Sequence, residues 1–394
     1  MLTMPDNPYR PGQGLTPPYL ADRQREIASM RAALSDRFPQ NIAVYGLRGV
    51  GKTVLSHAFR QVAAEQRWIS VRREFAPRFL AEAVFAPALL LDLQTCLEEI
   101  SVVAAVRGSV KRVWGAAQDV IGGLRVKYEG FELSYQAGAR TPVGRALEDD
   151  LLTALRRVGD VAQKSGRGVV LLYDEFQELR DRPTDGEFPL SAFISSVAGV
   201  QQEGLSIMLV LSGLPPLIEH LANAKSYTER MFEGQEIGAL REPEGRRALV
   251  EPAQKAGRSY DPEAVGSILD ETGRYPYFIQ FYGRELWDAA SGSTIDSRTL
   301  RRSRAEIQHK LDLYFYRARY VRATPAQRQL LREIARIGET ATIQQLLETT
   351  GKRHNAVQML IRGLIDSGLV YRPDRGQIAF SAPMFGKFVL RQEE

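Results

Sequence analysis

The apolar residues of this chain fall into short unbroken runs separated by stretches of helical spacing, the pattern of a parallel α/β sheet. Residues 41–45 (NIAVY) form the first run and residues 68–74 the second. Residues 169–173 (VVLLY) and 207–211 (IMLVL) are continuously apolar, as strands buried on both faces of a sheet must be. Residues 235–240 supply a weaker last strand. Between the runs, apolar positions recur three and four apart, at Ile27, Met30, Ala33 and Leu34 and again over residues 52–66, which predicts helices with one buried face.

Residues 75–165 separate the second and third runs and read as an insertion, helical over 81–121 and 142–165. Within it, Leu124, Val126 and Tyr128 alternate with Arg125 and Lys127, and the alternation resumes at Phe131, Leu133 and Tyr135 after Gly130. That period of two predicts a hairpin. Residues 241–320 are helical throughout. Three further helices, 326–337, 343–350 and 353–367, precede two short strands, 370–372 and 377–381. Three helices and a hairpin is the winged-helix order. The expected division is an extended arm over 1–20, a parallel-sheet α/β core over 21–240, a helical lid over 241–320 and a winged-helix domain over 321–394.

The chemistry lies at the ends of the runs. After residue 45 come Gly46, Leu47, Arg48, Gly49, Val50, Gly51, Lys52 and Thr53, a full G-x-x-x-x-G-K-[ST] phosphate loop followed by a helix that Val54 continues. The glycines let the backbone curl so that successive N–H groups point at phosphate oxygens, and the helix N-terminus adds a favourable dipole. Lys52 would reach the β- and γ-phosphates, and the Thr53 hydroxyl would ligate Mg²⁺. The run 169–173 ends in Asp174 and Glu175. Asp174 would hold Mg²⁺ through water, and Glu175 would act as general base toward the attacking water. Ser212, ending the run 207–211, would sit between loop and acids and sense the γ-phosphate. ATP and Mg²⁺ are the expected cofactors.

Together these features resemble the AAA+ P-loop ATPases, in the branch of the Orc1/Cdc6-like and archaeal-type ATPases near the STAND signalling NTPases. Asp22-Arg23-Gln24-Arg25-Glu26 resembles that family's N-terminal box near the adenine, with Asp22 where glycine is usual, and Asn7-Pro8-Tyr9-Arg10-Pro11 resembles its leader. The resemblance implies an arginine finger at Arg230, which would reach a neighbouring copy's γ-phosphate. It implies a lid motif at Gly273-Arg274-Tyr275-Pro276, with Pro276 near the nucleotide. It also implies a DNA-reading winged helix, whose second helix presents Arg353, His354, Asn355, Gln358 and Arg362 and whose wing presents Arg372 and Arg375.

Charge and composition narrow the picture. Residues 296–394 carry about 18 Lys/Arg against about 10 Asp/Glu, roughly +8, while the whole chain is +5. The basic end therefore meets something anionic or forms a solvated basic face. The single cysteine, Cys96, excludes an intramolecular disulfide and fits a reducing compartment. No apolar stretch approaches the ~20 residues a membrane span needs, and the expected location is cytoplasmic. His57, His220, His309 and His354 have no metal-ligand spacing. Two functions stay open. One is an ATP-hydrolysing switch or loader that binds DNA through its winged helix, as a homo-oligomer sharing sites between protomers. The alternative is a STAND-type signalling or defence ATPase whose winged helix contacts protein or serves structure.

Overall fold

The structure is a computed structural model that describes residues 6–12, 19–36, 38–103, 108–136 and 146–392. The chain forms two compact units.

One unit comprises Gln24–Tyr45 and Leu55–Glu236. Its centre is a five-stranded parallel sheet of β1 (Asn41–Tyr45), β2 (Ile69–Glu74), β3 (Val169–Asp174), β4 (Ile207–Gly213) and β5 (Phe232–Glu236), in the order β2-β3-β4-β1-β5. The interior strands β3 and β4 are buried at every residue, which is what their unbroken apolar runs require. The last strand lies three to four residues earlier than expected. β5 is an edge strand with only Phe232 and Gln235 buried, so its sequence carries little strand signal. The apolar Ile237 and Leu240 that suggested a strand over 235–240 belong to the other unit's buried set.

The insertion is helical. Glu82–Val103, Gly108–Gln136 and Ala146–Lys164 pack on one another, and the expected start of the last of these, 142–145, lies outside the described residues. The expected hairpin over 124–135 is instead part of the helix Gly108–Gln136. Ala117, Ile121 and Tyr128 are buried with Leu124 packed against them, a spacing of four, three and four that is helical. Arg125 pairs with Glu129 at i,i+4 at 2.7 Å, and the Tyr128 hydroxyl donates to Asp150 at 2.7 Å. The period-two alternation was a coincidence of charges on the exposed face.

The other unit takes the described residues up to Arg23, Gly46–Val54 and those from Ile237 on. The helices Glu242–Lys255, Pro262–Thr272, Pro276–Ala289 and Ser297–Leu311 are interrupted by a small parallel pair, β6 (Ser259–Tyr260) with β7 (Thr294–Ile295). Beyond them the helices Pro325–Ile337, Ile343–Thr350, His354–Asp366 and Phe385–Arg391 accompany β8 (Thr340–Thr342), β9 (Val370–Tyr371) and β10 (Gln377–Phe380), ordered β8-β10-β9. The expected lid and C-terminal segments thus form one body. A train of rings joins them: Tyr277 stacks on Phe315 at 4.8 Å, Phe315 meets Tyr316 at 4.9 Å, and Tyr316 stacks on Phe388 at 5.3 Å. Such pairs contribute about 0.5–1.5 kcal/mol each beyond their burial. The arm, expected as merely extended, is described only in part. There Tyr9 is buried against Trp287, and its hydroxyl donates to the Leu249 carbonyl.

Candidate nucleotide site

In the sheet unit, the strand that leads into the phosphate loop and the strand that carries the acids end on the same edge. Tyr45 of β1 pairs with Gly213 of β4, and Tyr173 of β3 pairs with Leu211. Ser212 therefore lies level with Asp174 on one side and Val44 on the other. Its hydroxyl donates to Asp174 Oδ1 at 2.7 Å. The same carboxylate accepts the Glu175 N–H at 3.0 Å and the Arg72 guanidinium from β2 at 3.0 Å. Asp174 is almost wholly buried, so these donors are what keep an ionised carboxylate tolerable there.

The acids are anchored by their neighbours. Tyr173 and Phe176 flank them and sit in a cluster of rings with Phe75 and Phe193. The chain turns sharply between these anchors. Glu175 takes a left-handed backbone (φ 51), a strained conformation for a residue with a side chain. The half-exposed Glu175 carboxylate accepts from Gln177 Nε2 at 2.8 Å.

In the other unit, the loop curls under two constraints. A Cβ on Gly46 would fall 2.0 Å from the Ile237 carbonyl oxygen, and Gly49 and Gly51 have φ of 81° and 94°. Lys52 Nζ donates to the Gly46 and Leu47 carbonyls at 2.9 and 3.0 Å. Buried Arg23 donates to the Val50 carbonyl at 2.9 Å, and Asp22, where the related box has glycine, adopts φ 53. The Tyr277 N–H, one residue past Pro276, donates to the Gly49 carbonyl at 3.1 Å, and the Arg48 N–H donates to the Ser381 carbonyl at 3.3 Å. Burial, and then the charge of Arg48, hold the Arg319 guanidinium down at about 10. Arg48, Lys52 and Arg319 make this face of the unit cationic.

Mg²⁺ takes oxygen donors; the sheet unit offers the Asp174 carboxylate, and the other unit the Thr53 hydroxyl. The Asp174 oxygens already accept Ser212, Glu175 N–H and Arg72, which suits a carboxylate that acts through water. Among the described residues, no cluster of three or more His, Cys, Asp and Glu has metal-binding geometry.

Residues 19–204 match the family model described as the AAA ATPase domain. Over that stretch the chain is similar to AAA ATPase domains. Its five-stranded parallel sheet with flanking helices is the P-loop AAA+ α/β fold. Residues 313–389 match a second model, a domain of unknown function (DUF8462). The Orc2 protein of Aeropyrum pernix, solved in ADPNP and ADP complexes, is similar in fold, with TM-score 0.51 at 15% identity over 97% of this chain and 96% of that one. The Orc1 protein of the same organism in complex with DNA gives 0.46 at 15% identity, covering 96% and 94%. The Thermotoga maritima RuvB Holliday junction branch migration motor gives 0.43 at 13%, covering 90% and 91%. No curated protein matches the sequence. Among the described residues, no helix is long and apolar enough to cross a membrane.

The remaining expected residues fall in both units. Arg230 is exposed in the turn Thr228–Met231 leading into β5, whose first residue, Phe232, pairs with Asn41, the first of β1. It sits at the sheet end opposite the acids, ~15 Å off along a five-residue strand. In the C-terminal part, Arg353, His354, Asn355, Arg362, Arg372 and Arg375 are exposed. Gln358 bridges two of them, meeting His354 at 3.4 Å and accepting from Arg372 at 3.1 Å. Sequence reasoning missed Arg72, Gln177 and Arg319. Arg72 alternates on a strand like any half-buried residue, and nothing near Gln177 or Arg319 in the chain marks them.

Proposed function

We propose that the chain hydrolyses Mg-ATP and uses the nucleotide to set its affinity for DNA, as a switch or loader. Lys52 and the loop amides would hold the phosphates, and Thr53 and Asp174 the magnesium, which when bound neutralises phosphate charge. Glu175 would take a proton from the attacking water. Ser212, bonded to Asp174, would respond to the γ-phosphate. Arg230, remote from its own acids, would serve a neighbouring copy.

One observation supports coupling most directly. The loop's backbone is bonded to the lid at Tyr277 and to the C-terminal part at Ser381, so a ligand that reshapes the loop must also move those partners. The C-terminal part has the helix-and-hairpin order of a winged helix, and its exposed Arg353, Asn355, Arg362, Arg372 and Arg375 suit base edges and phosphates. The same Ser381 contact also favours a second reading, a STAND-type ATPase in which the C-terminal part clamps the nucleotide and the output is a protein contact.

Duplex binding measured with ATP, ADP and no nucleotide, across salt, for wild type and Lys52→Ala, tests the proposal. The expected result is affinity that rises with ATP in wild type only and falls steeply with salt. Absence of duplex binding at moderate salt under every nucleotide condition would sink the DNA reading and favour the second.

A further inference from the structure

Directly after the acids, Gln177 occupies the single 3-10 turn Phe176–Glu178 with its side chain buried. Its amide is used at both ends. Oε1 accepts the Leu214 N–H at 2.9 Å, and Nε2 donates to Glu175 Oε2 at 2.8 Å. Leu214 is the first residue past β4, two after the Ser212 that holds Asp174. Gly213 between them lets the amide come close, since a Cβ there would stand 2.5 Å from Gln177 Oε1.

We infer that Gln177 is a positioning residue that fixes the Glu175 carboxylate and ties its orientation to the end of β4. The inference rests on the reading of Glu175 as the hydrolytic base. A half-exposed glutamate spreads over several rotamers, and a base must present one oxygen to one water. Gln177 pins Oε2 and leaves Oε1 for the proton. The tether has a defined polarity: the Leu214 N–H selects the amide oxygen, so the NH₂ must face Glu175. An amide also does this without a cation's charge, which would hold the carboxylate ionised and weaken it as a base. Because the acceptor side of the amide belongs to the segment that carries Ser212, a shift of β4's end moves the base as well.

The test measures kcat and KM for ATP hydrolysis, and the Kd of a fluorescent ATP analogue with Mg²⁺, in the full chain and in Gln177→Ala, Gln177→Glu and Gln177→Asn. Gln177→Glu decides, because it keeps the size and the acceptor for Leu214 but turns an oxygen toward Glu175. All three should lower kcat about 10- to 100-fold, part of what a positioned base supplies, while KM and Kd stay within about twofold. A Gln177→Glu protein that turns over at the wild-type rate, or variants in which Kd rises in step with the fall in kcat, would overturn the positioning role. Glu175→Gln separates the two readings: if it hydrolyses ATP like wild type, the base assignment falls and this inference with it. If it is inactive while the Gln177 variants are normal, only this inference falls.

Discussion

The phosphate loop and the acid turn are two halves of one expected chemistry, yet they are held by different means. The loop is a backbone object. Its shape depends on glycines with positive φ and a close approach at Gly46, and its carbonyls accept from Lys52, Arg23 and Tyr277. The acid turn is a side-chain object, with Asp174 held by Ser212 and Arg72 and Glu175 by Gln177, above a packed cluster of rings. A backbone cradle suits a ligand recognised by charge and shape and exchanged each cycle. A side-chain lattice suits groups whose orientation must not drift. Mutations in the first should therefore show in nucleotide affinity, and mutations in the second in turnover.

The largest effect should come from Glu175→Gln. Steady-state kinetics should show kcat lower by about 10³-fold, with nucleotide affinity by calorimetry unchanged. Equal losses in both would erase the distinction.

Acid should then loosen the acid turn. Burial, followed by the charge of Arg180, pushes the His220 imidazole down to about 4, and the ring is hydrogen-bonded to the Gln177 backbone. The unfolded chain takes up this proton near the ordinary 6.5, the folded one only near 4. Above pH 6.5 the group costs nothing, and stability falls as pH drops from 6.5 to 4, by up to about 3 kcal/mol. Denaturant titrations at pH 7.5 and 4.5 should show that loss in wild type and a flatter profile in His220→Gln. The same slope in both proteins would clear His220 of the effect.

The smallest effect should be Gly51→Ala. A Cβ there meets nothing within 4 Å, but φ is 94°, so the cost is conformational, about 1–2 kcal/mol. Nucleotide affinity should weaken about tenfold with kcat nearly intact. A fall in kcat at saturating ATP with unchanged affinity would contradict the division of labour.

What was readable in the sequence follows from what sequence encodes locally. β3 and β4 were legible because burial on both faces keeps them apolar up to their last one or two positions, and the loop because its glycines are stereochemically forced. The edge strand β5 was misplaced because one paired side demands few apolar residues. The helix over 124–135 was misread because a period of two over a few positions overlaps a spacing of three and four. β8 and the helix Phe385–Arg391 were not anticipated, since a three-residue strand and a seven-residue helix carry too little pattern. The partners of the acids, Arg72 and Gln177, could not be found at all. Their role depends on which strand lies beside which, and that order, β2-β3-β4-β1-β5, is a property of the folded sheet.

The bond from Tyr277 to Gly49 has one more consequence. The helix Pro276–Ala289 begins without a side-chain cap, and Tyr277 is among its first-turn donors, which no carbonyl inside the helix can satisfy. The carbonyl of Gly49 does that work, so a stretch 228 residues upstream in number finishes the first turn of this helix. Reshape the loop and the helix start frays, which makes the exchange of a single amide hydrogen, that of Tyr277, a clock for how long the loop keeps its shape.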